Sequence, residues 1–188
     1  MRIMTLLGSA RKKGNTATIL GWVEQELERR GHDVVRVDLN RKAIGGCLGC
    51  GKCRETPDDI ACVQEDDANT IMMQMIAADS ILFASPVYFW GFSAQLKALI
   101  DRGYAFVTDY LHPGHTSLLQ GRRIGLLVTG ADNYENNAEG LFDAFDRLGG
   151  FLLTRKAGTL YVGGCTTPAD LPERVKAQAM ELAASLVD

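Results

Sequence analysis

Short apolar runs alternate with segments of helical periodicity along the whole chain, and this alternation constrains the fold more than any other feature. The apolar runs are rich in Val, Ile, Leu or Phe, as strands buried on both faces are. They lie at residues 2–7, 33–39, 80–85, 123–129 and 151–161. Such alternation is typical of βαβ units, so it predicts an α/β fold with a parallel sheet and helices on both faces.

Between these runs, apolar residues recur at helical spacing and predict five helices. The apolar faces lie within residues 19–27, 71–76, 96–100, 141–148 and 171–186. We expect Gly31 and Gly149 at the carboxyl ends of helices and Ser93 at the amino end of the third helix. Pro168 and Pro172 mark the approach to the fifth helix. No repeat or linker divides the chain, so we expect one domain over residues 1–188.

The composition is that of an ordinary globular protein, with 46% hydrophobic and 23% charged residues. Lys and Arg total 20 against 23 Asp and Glu, a net charge of -3. This balance provides no broad basic field that would collect nucleic acid or an anionic membrane. The first apolar stretch is too short for a signal peptide, and no run approaches the length of a membrane span. We therefore expect a cytoplasmic protein without nucleic-acid or membrane partners.

The loop after the first predicted strand carries groups that suit a phosphate. These groups are Ser9, Arg11, Gly14, Asn15 and Thr16. Glycine lets the backbone approach an oxyanion, Arg supplies charge, and the amino terminus of the helix that follows adds its dipole. The loop matches neither the dinucleotide G-x-G-x-x-G pattern nor the nucleotide P-loop. It therefore predicts a site for a single phosphate group rather than an ordinary capped turn.

A second loop, after the third predicted strand, is rich in aromatic residues. It reads Pro86, Val87, Tyr88, Phe89, Trp90 and Gly91. In an open parallel sheet, ligands bind beyond the carboxyl ends of the strands, where the strand order reverses. Aromatic side chains and backbone amides at that position can line a flat ring. Burial at a subunit interface is the other interpretation, and both roles are compatible.

Four of the five cysteines fall within the long connection at residues 40–66, which we call the cysteine segment. They are Cys47, Cys50, Cys53 and Cys62. The first three follow one another at three-residue intervals among glycines that permit tight turns, so their thiolates can converge on one inorganic centre. The residues leave three interpretations open: a [4Fe-4S] cluster, a structural zinc ion, or reduced cysteines without metal.

The other cysteine and the histidines are not predicted to take part in chemistry. Cys165 is distant in sequence from the cysteine segment, and a lone cysteine is most often a small apolar residue. His112 and His115 lie in a Pro-Gly loop without a nearby carboxylate partner, which is typical of surface residues. The chain contains no G-x-S-x-G motif, so it does not favour a nucleophilic hydrolase.

One combination of segments points to a known family. It comprises the 8–16 loop, the cysteine segment followed by Asp66 and Asp67, residues 78–79, and the stretches 85–88, 93–97 and 100–102. On these segments the chain resembles, over nearly its whole length, the flavodoxin-like NAD(P)H-dependent FMN reductases, in the branch of iron-sulfur flavoproteins and multimeric flavodoxins. Eight residues lie between Cys53 and Cys62, slightly more than is usual in that branch.

The resemblance implies a flavodoxin-like three-layer sandwich whose five parallel strands follow the order 2-1-3-4-5. It also implies FMN, with the phosphate on the 8–16 loop and the isoalloxazine ring beside residues 86–91. By position, Thr129, Gly130 and Ala131 after the fourth predicted strand form a third wall of that site. The branch further implies a [4Fe-4S] cluster on the four cysteines.

The resemblance implies an FMN-dependent oxidoreductase that accepts hydride from NAD(P)H and passes electrons to a small acceptor or an iron-sulfur centre. The flavin carries this chemistry, so no side-chain acid or base is expected. The alternatives are a non-enzymatic electron carrier that serves ferredoxin-like partners, and a flavin-binding or zinc-stabilised regulatory module.

The aromatic content also predicts an assembly of several copies. Tyr88, Phe89, Trp90 and Phe92 exceed what one planar ring can cover, and exposed apolar patches commonly mark interfaces. We therefore expect a homodimer or homotetramer with these residues and the connection at 104–120 near a subunit boundary.

Overall fold

The computed structural model describes residues 1–54, 59–109 and 112–188. The strands are β1 Arg2–Leu7, β2 Asp33–Asp38, β3 Ser80–Pro86, β4 Val107–Thr108, β5 Thr116–Ser117, β6 Arg123–Thr129 and β7 Arg155–Val162. The α-helices are α1 Asn15–Arg29, α2 Asp67–Ile76, α3 Ala94–Asp101, α4 Glu139–Phe151 and α5 Glu173–Ser185. Parts of both predicted long connections, residues 55–58 and 110–111, lie outside the described residues. No helix in the described ranges is long and apolar enough to cross a membrane.

Five strands form one parallel sheet in the order β2-β1-β3-β6-β7 within the described residues. Counted along this sheet alone, the order is 2-1-3-4-5, so the predicted flavodoxin-like fold is confirmed. The short strands β4 and β5 pair separately as an antiparallel hairpin. The strand order reverses between β1 and β3, where an α/β sheet of this type opens a crevice at its carboxyl edge.

Two apolar cores cover the two faces of the sheet. Along β1, Ile3 and Leu7 are buried in one core, whereas Met4 and Leu6 are buried in the other. This distribution arises because successive side chains of a strand point to opposite faces. The first core contains apolar residues of α1 and α5, and the second contains those of α2, α3 and α4. Burial on both faces explains why the strands are nearly continuous apolar runs.

The boundary between α4 and β7 differs from the predicted one. Helix α4 continues to Phe151, where a strand was expected to begin, and β7 starts at Arg155. Gly149 therefore lies inside the helix, where a Cβ would approach Ile124 Cδ1 to 3.1 Å, so the glycine allows close packing. The left-handed residue that turns the chain after α4 is Leu153, with φ of 55°. By contrast, Gly31 follows α1 with φ of 83°, as predicted.

The start of α3 is held by a hydrogen bond from the Ser93 backbone amide to the Ser85 hydroxyl, not by a capping side chain. Ser93 occupies the predicted N-cap position, but its hydroxyl makes no capping hydrogen bond. The Ser93 amide instead donates to Ser85 Oγ at 3.0 Å, which ties the helix to the end of β3. Pro172 directly precedes α5, and Pro168 begins a short 3-10 helix before it, in agreement with the prediction.

Candidate functional site

A cavity of about 280 Å³ opens at the carboxyl edge of the sheet, beyond the ends of β1, β3 and β6. It is lined by Ser9, Arg11, Gly14, Asn15, Thr16, Pro86, Val87, Tyr88, Thr129, Gly130, Ala131, Cys165 and Thr166. The three predicted loops therefore meet at one cavity. They meet because the carboxyl ends of parallel strands share one edge, and the crevice lies where the strand order reverses.

The first wall is the loop after β1 together with the amino terminus of α1. Gly14 is the N-cap of α1 and provides no capping side chain, and the first turn contains no acidic residue. No side chain of the first turn therefore competes for the positive end of the helix dipole, which is available to an anion. Ser9 is buried and accepts a hydrogen bond from the Arg11 amide at 3.2 Å, while the Arg11 side chain is exposed. This wall suits a phosphate group.

Asn15 contributes to this wall as an acceptor. One of the two N–H groups of its Nδ2 donates to the backbone oxygen of Cys165 at 2.7 Å. Its Oδ1 is buried without a hydrogen-bond partner. A buried acceptor without a partner is unfavourable, and a hydroxyl group of a bound ligand would satisfy it. Beside it, the hydroxyls of Thr16 and Thr129 form a buried hydrogen bond of 2.7 Å.

The second wall follows β3 and ends in a tight turn at residues 88–91, the aromatic turn. The Val87 amide donates to Thr129 O at 2.8 Å, which joins the second wall to the third. Tyr88 and Gly91 exchange two backbone hydrogen bonds of 3.0 Å. Phe89 and Trp90 between them have φ of 47° and 59°. Two left-handed residues in a two-residue turn are typical of a type I′ hairpin, a position usually given to Asn and Gly.

The aromatic turn directs its two central side chains away from the cavity. Phe89 is 95% exposed and Trp90 is 65% exposed, and neither they nor Gly91 line the cavity. Their rings contact each other edge to face, with centroids 6.2 Å apart. Of the residues predicted to bind the flavin, these three are the ones that one chain does not bring to the cavity. Their predicted role in the pocket stays a prediction.

The third wall depends on Gly130, whose amide donates to Val162 O at 3.0 Å. A Cβ at this residue would lie 2.4 Å from the Tyr161 hydroxyl oxygen, so a side chain is excluded there. The Tyr161 hydroxyl donates to Asp132 O at 2.7 Å and accepts from Asn137 Nδ2 at 2.8 Å. Burial raises the pKa of Tyr161, which keeps the hydroxyl protonated as a donor. Tyr161 thus supports the third wall on the side away from the cavity.

Two residues after β7, Cys165 and Thr166, also line the cavity. Sequence reasoning gave Cys165 no role, but its backbone oxygen accepts the hydrogen bond from Asn15 described above. The Thr166 hydroxyl donates to Asp170 Oδ2 at 2.9 Å, which anchors the loop. The signal that could have identified them is their position after the last predicted strand, at the same edge of the sheet as the other walls.

The four cysteines of the cysteine segment differ in exposure. Cys47 and Cys50 are exposed, whereas Cys53 and Cys62 are partly buried and pack against the core. Burial raises the pKa of the Cys53 thiol, and the neighbouring thiols of Cys62, Cys47 and Cys50 raise it further. Gly49 has a left-handed φ of 64°, and its amide donates to Cys47 Sγ at 3.4 Å.

The chemistry of this donor set fits a thiolate-bound metal centre. It offers four soft sulfur ligands on a glycine-rich backbone, with an amide directed at one of the sulfurs. Soft thiolates favour zinc and iron-sulfur clusters over hard cations. Within the described residues, however, no three His, Cys, Asp or Glu side chains are already gathered as metal ligands. The segment therefore supplies suitable ligands that still have to converge.

Arg102, a residue that sequence reasoning did not assign, lies under the cysteine segment. It is 2% exposed, and its guanidinium donates to Asp66 Oδ2 at 2.8 Å and to Asp66 Oδ1 at 3.2 Å. Asp66 also caps α2 by accepting from the Ala68 amide. Burial opposes the ionisation of Asp66, but hydrogen bonds from Arg102, Gly45 and Ala68 outweigh it and lower the Asp66 pKa.

Comparison with known proteins identifies flavoproteins as relatives of this chain. A family model described as NADPH-dependent FMN reductase matches residues 1–160. An iron-sulfur flavoprotein of Archaeoglobus fulgidus is 35% identical over 128 residues, which cover 68% of this chain and 54% of that protein. One from Methanosarcina thermophila is 39% identical over 102 residues, which cover 54% of this chain and 52% of that protein. The chain spans about half the length of the curated relatives it matches.

A solved structure supports the fold independently. An NAD(P)H:quinone oxidoreductase from Methanothermobacter marburgensis has a TM-score of 0.76 to this chain at 20% sequence identity. The superposition covers 100% of this chain and 96% of that one. At this identity the likeness concerns the arrangement of strands and helices, which is the flavodoxin-like sandwich described above.

Proposed function

The chain belongs to the NADPH-dependent FMN reductase family, and from this we propose that it is an FMN-dependent oxidoreductase that accepts hydride from NAD(P)H. The observation that carries the proposal is the meeting of three walls at one cavity, with an uncapped helix amino terminus on one side and an unpaired buried acceptor beside it. FMN, when bound, supplies the hydride-accepting chemistry. The protein's part is to bind and orient it.

Different residues of the cavity suit different chemical parts of FMN. The N–H groups at the start of α1, with Ser9 and Arg11, would hold the phosphate. Asn15 Oδ1 would accept from a hydroxyl of the ribityl chain, since this oxygen can only accept and the phosphate oxygens offer it no donor. The walls after β3 and β6, at residues 86–88 and 129–131, would bracket the ring. The amide oxygen of Asn15 would thus bind the sugar chain.

The cavity wall fits an anionic cofactor and needs no acid or base of its own. Among the described residues that line it, none is an Asp, Glu or His. No carboxylate therefore repels the phosphate, and Arg11 contributes a positive charge. The hydride transfer expected here requires no side-chain proton transfer in its first half.

We further propose that Cys47, Cys50, Cys53 and Cys62 hold a [4Fe-4S] cluster, so that electrons leave either to a small acceptor or to this centre. Support comes from the four cysteines of one short segment and from the similarity to proteins named iron-sulfur flavoproteins. Because each thiolate would occupy one of four iron sites, single Cys→Ser variants should each lose most iron and sulfide. Zinc without sulfide, or no metal after anaerobic reconstitution, would refute the cluster.

We also propose that the protein assembles as a homodimer or homotetramer through the aromatic turn. Phe89 and Trp90 combine strong exposure with left-handed backbone conformations that ordinary residues avoid. Such strain persists where function requires it. A second copy of the chain would bury these rings, and the partner's flavin site would gain an aromatic wall. Light scattering at micromolar concentration that finds a monomer fully loaded with FMN would contradict this assembly.

The experiment that tests the oxidoreductase is anaerobic mixing of the FMN-loaded protein with NADPH or NADH. Rapid loss of the oxidised flavin absorbance is expected with at least one of them. Reduction by a reduced ferredoxin but by neither nucleotide would support an electron carrier instead. A protein that does not bind FMN at all would refute both functions.

A further inference from the structure

We propose that Arg102 is a positioning residue for Cys62, holding its sulfur as a ligand of any metal centre in the cysteine segment. The inference rests on the proposed metal centre and deepens it. Arg102 lies at the end of α3, forty residues from Cys62 in sequence, and its Nε donates to Cys62 Sγ at 3.1 Å. The contact gives one of the four sulfurs a charged hydrogen-bond donor.

All five N–H groups of the Arg102 guanidinium have an acceptor. Besides the Cys62 sulfur and the two oxygens of Asp66, Nη1 donates to Gly45 O at 3.2 Å and Nη2 donates to Asn69 Oδ1 at 3.3 Å. A buried guanidinium is tolerated only when its donors are paired, and here the sulfur is one of the required partners. The planar fork of Arg fits this set, whereas the single ammonium of Lys does not.

These contacts join the two ends of the cysteine segment. Arg102 binds Gly45 O near the first cysteine, and the Gly45 amide donates to Asp66 Oδ2 at 2.8 Å. Asn69, itself bound to Arg102, donates from Nδ2 to Cys62 O at 2.8 Å. Both the backbone and the sulfur of Cys62 are therefore fixed by one network. The network thus links Gly45, before the first cysteine, to Cys62, the last one.

Cys62 and Cys47 form a natural comparison. Cys62 is partly buried and its sulfur accepts a guanidinium N–H, whereas Cys47 is exposed and its sulfur accepts from the Gly49 amide at 3.4 Å. Groups that hydrogen-bond a metal ligand orient it, and their removal typically weakens metal binding roughly 10- to 100-fold. If Arg102 acts through the Cys62 sulfur, this loss depends on that sulfur being present.

The test uses Co²⁺ as the probe, titrated anaerobically into the reduced, metal-free full-length protein and followed by the thiolate-to-cobalt charge-transfer band. Arg102→Gln is expected to weaken Co²⁺ binding roughly 10- to 100-fold, and Arg102→Lys is expected to restore little of it. Arg122→Gln is the matched control, because Arg122 pairs with Asp79 at 3.8 Å on a partly exposed surface. It should leave Co²⁺ affinity unchanged.

A double-mutant cycle separates positioning from general support of the fold. In a Cys47→Ser background, Arg102→Gln should keep its full effect on Co²⁺ affinity. In a Cys62→Ser background, the effect of Arg102→Gln should fall to less than about threefold. Equal effects in the two backgrounds would overturn the inference while leaving the metal centre standing. Wild-type protein that binds no Co²⁺ would overturn both the role of Arg102 and the metal centre. The proposed oxidoreductase activity would not be affected, because it is tested by the reduction of FMN with NADPH or NADH.

A measurement without substitution at Arg102 guards against variants that do not fold. In ¹⁵N-labelled protein, the Nε–H resonance of Arg102 reports the hydrogen bond to sulfur directly. Zn²⁺ binding and Cys62→Ser should both shift this resonance, and Cys47→Ser should not. A resonance that is insensitive to Cys62→Ser would refute the contact on which the inference depends.

Discussion

Replacing Gly130 by Ala tests whether the third wall of the cavity is held by Tyr161. An Ala Cβ would lie 2.4 Å from the Tyr161 hydroxyl oxygen and 3.0 Å from Asn137 Nδ2. Both distances are well inside the roughly 3.5–4.0 Å of favourable non-bonded contact. Either the wall moves into the cavity, or Tyr161 leaves Asp132 O, to which it donates at 2.7 Å.

The expected loss of stability for Gly130→Ala is about 1–3 kcal/mol, as for other overpacked sites. Because Gly130 also lines the cavity, FMN affinity should fall as well. Each 1.4 kcal/mol lost from the binding free energy lowers the affinity about tenfold. Tyr161→Phe alone should lose about 1 kcal/mol with its hydroxyl contacts. Combined with Gly130→Ala it removes the closest overlap, so the double variant should be more stable than the sum of the single effects by about 0.5–3 kcal/mol.

Urea unfolding and FMN titration of the four proteins measure these quantities. Gly140→Ala is the matched control, because a Cβ there meets no atom within 4 Å inside α4. It should stabilise the protein by up to about 1 kcal/mol, since Ala favours helix more than Gly does. If Gly130→Ala lowers stability and FMN affinity no more than Gly140→Ala does, the overlap with Tyr161 does not exist. The same follows if adding Tyr161→Phe does not recover any of the stability lost by Gly130→Ala.

Three further outcomes are expected. Arg11→Ala should weaken FMN binding roughly ten- to more than a hundredfold in calorimetric titration, because a charge-assisted phosphate contact is worth about 1.5–3 kcal/mol; an unchanged affinity would remove Arg11 from the site. Trp90→Gly should relieve its left-handed backbone strain, of order 1 kcal/mol, yet shift the assembly towards monomer in light scattering; an unchanged assembly would contradict an interface at the aromatic turn. The pKa of Asp66 lies below its ordinary 3.8, so its contribution to stability is present above that pH and lost as the pH falls further; urea unfolding of Asp66→Asn should show lower stability at pH 7 and a flatter decline below pH 5, and parallel curves for both proteins would disprove the pairing.

The predicted strands agree best where a strand is buried on both faces. The ranges predicted for β1 and β6 agree with the structure at both ends, because the polar loop residues on either side mark where the apolar run begins and ends. The error at residues 151–154 has the opposite cause. Phe151, Leu152 and Leu153 continue the apolar pattern from the end of α4 towards β7, and periodicity cannot separate a buried helix end from a buried strand.

Much of the cavity could be predicted from the sequence, because its walls are local loops with local chemistry. The loops after β1, β3 and β6 were expected together, since parallel strands bring their carboxyl ends to one edge. The contact between Asn15 and Cys165 could not be predicted, because 150 residues separate the two. The left-handed backbone of Phe89 and Trp90 could not be predicted either, since aromatic residues seldom occupy such positions.

The sequence by itself determined the order of helices and strands, the residues of the first loop that suit a phosphate, and the set of four cysteines in one segment, because each depends on residues that are neighbours in the chain. Only the tertiary structure decided what surrounds Arg102. Its acceptors come from Gly45, Cys62, Asp66 and Asn69, which reach it from 33 to 57 residues away. A buried charge is stabilised by the groups that folding gathers around it, and their convergence depends on the packing of distant segments rather than on local sequence.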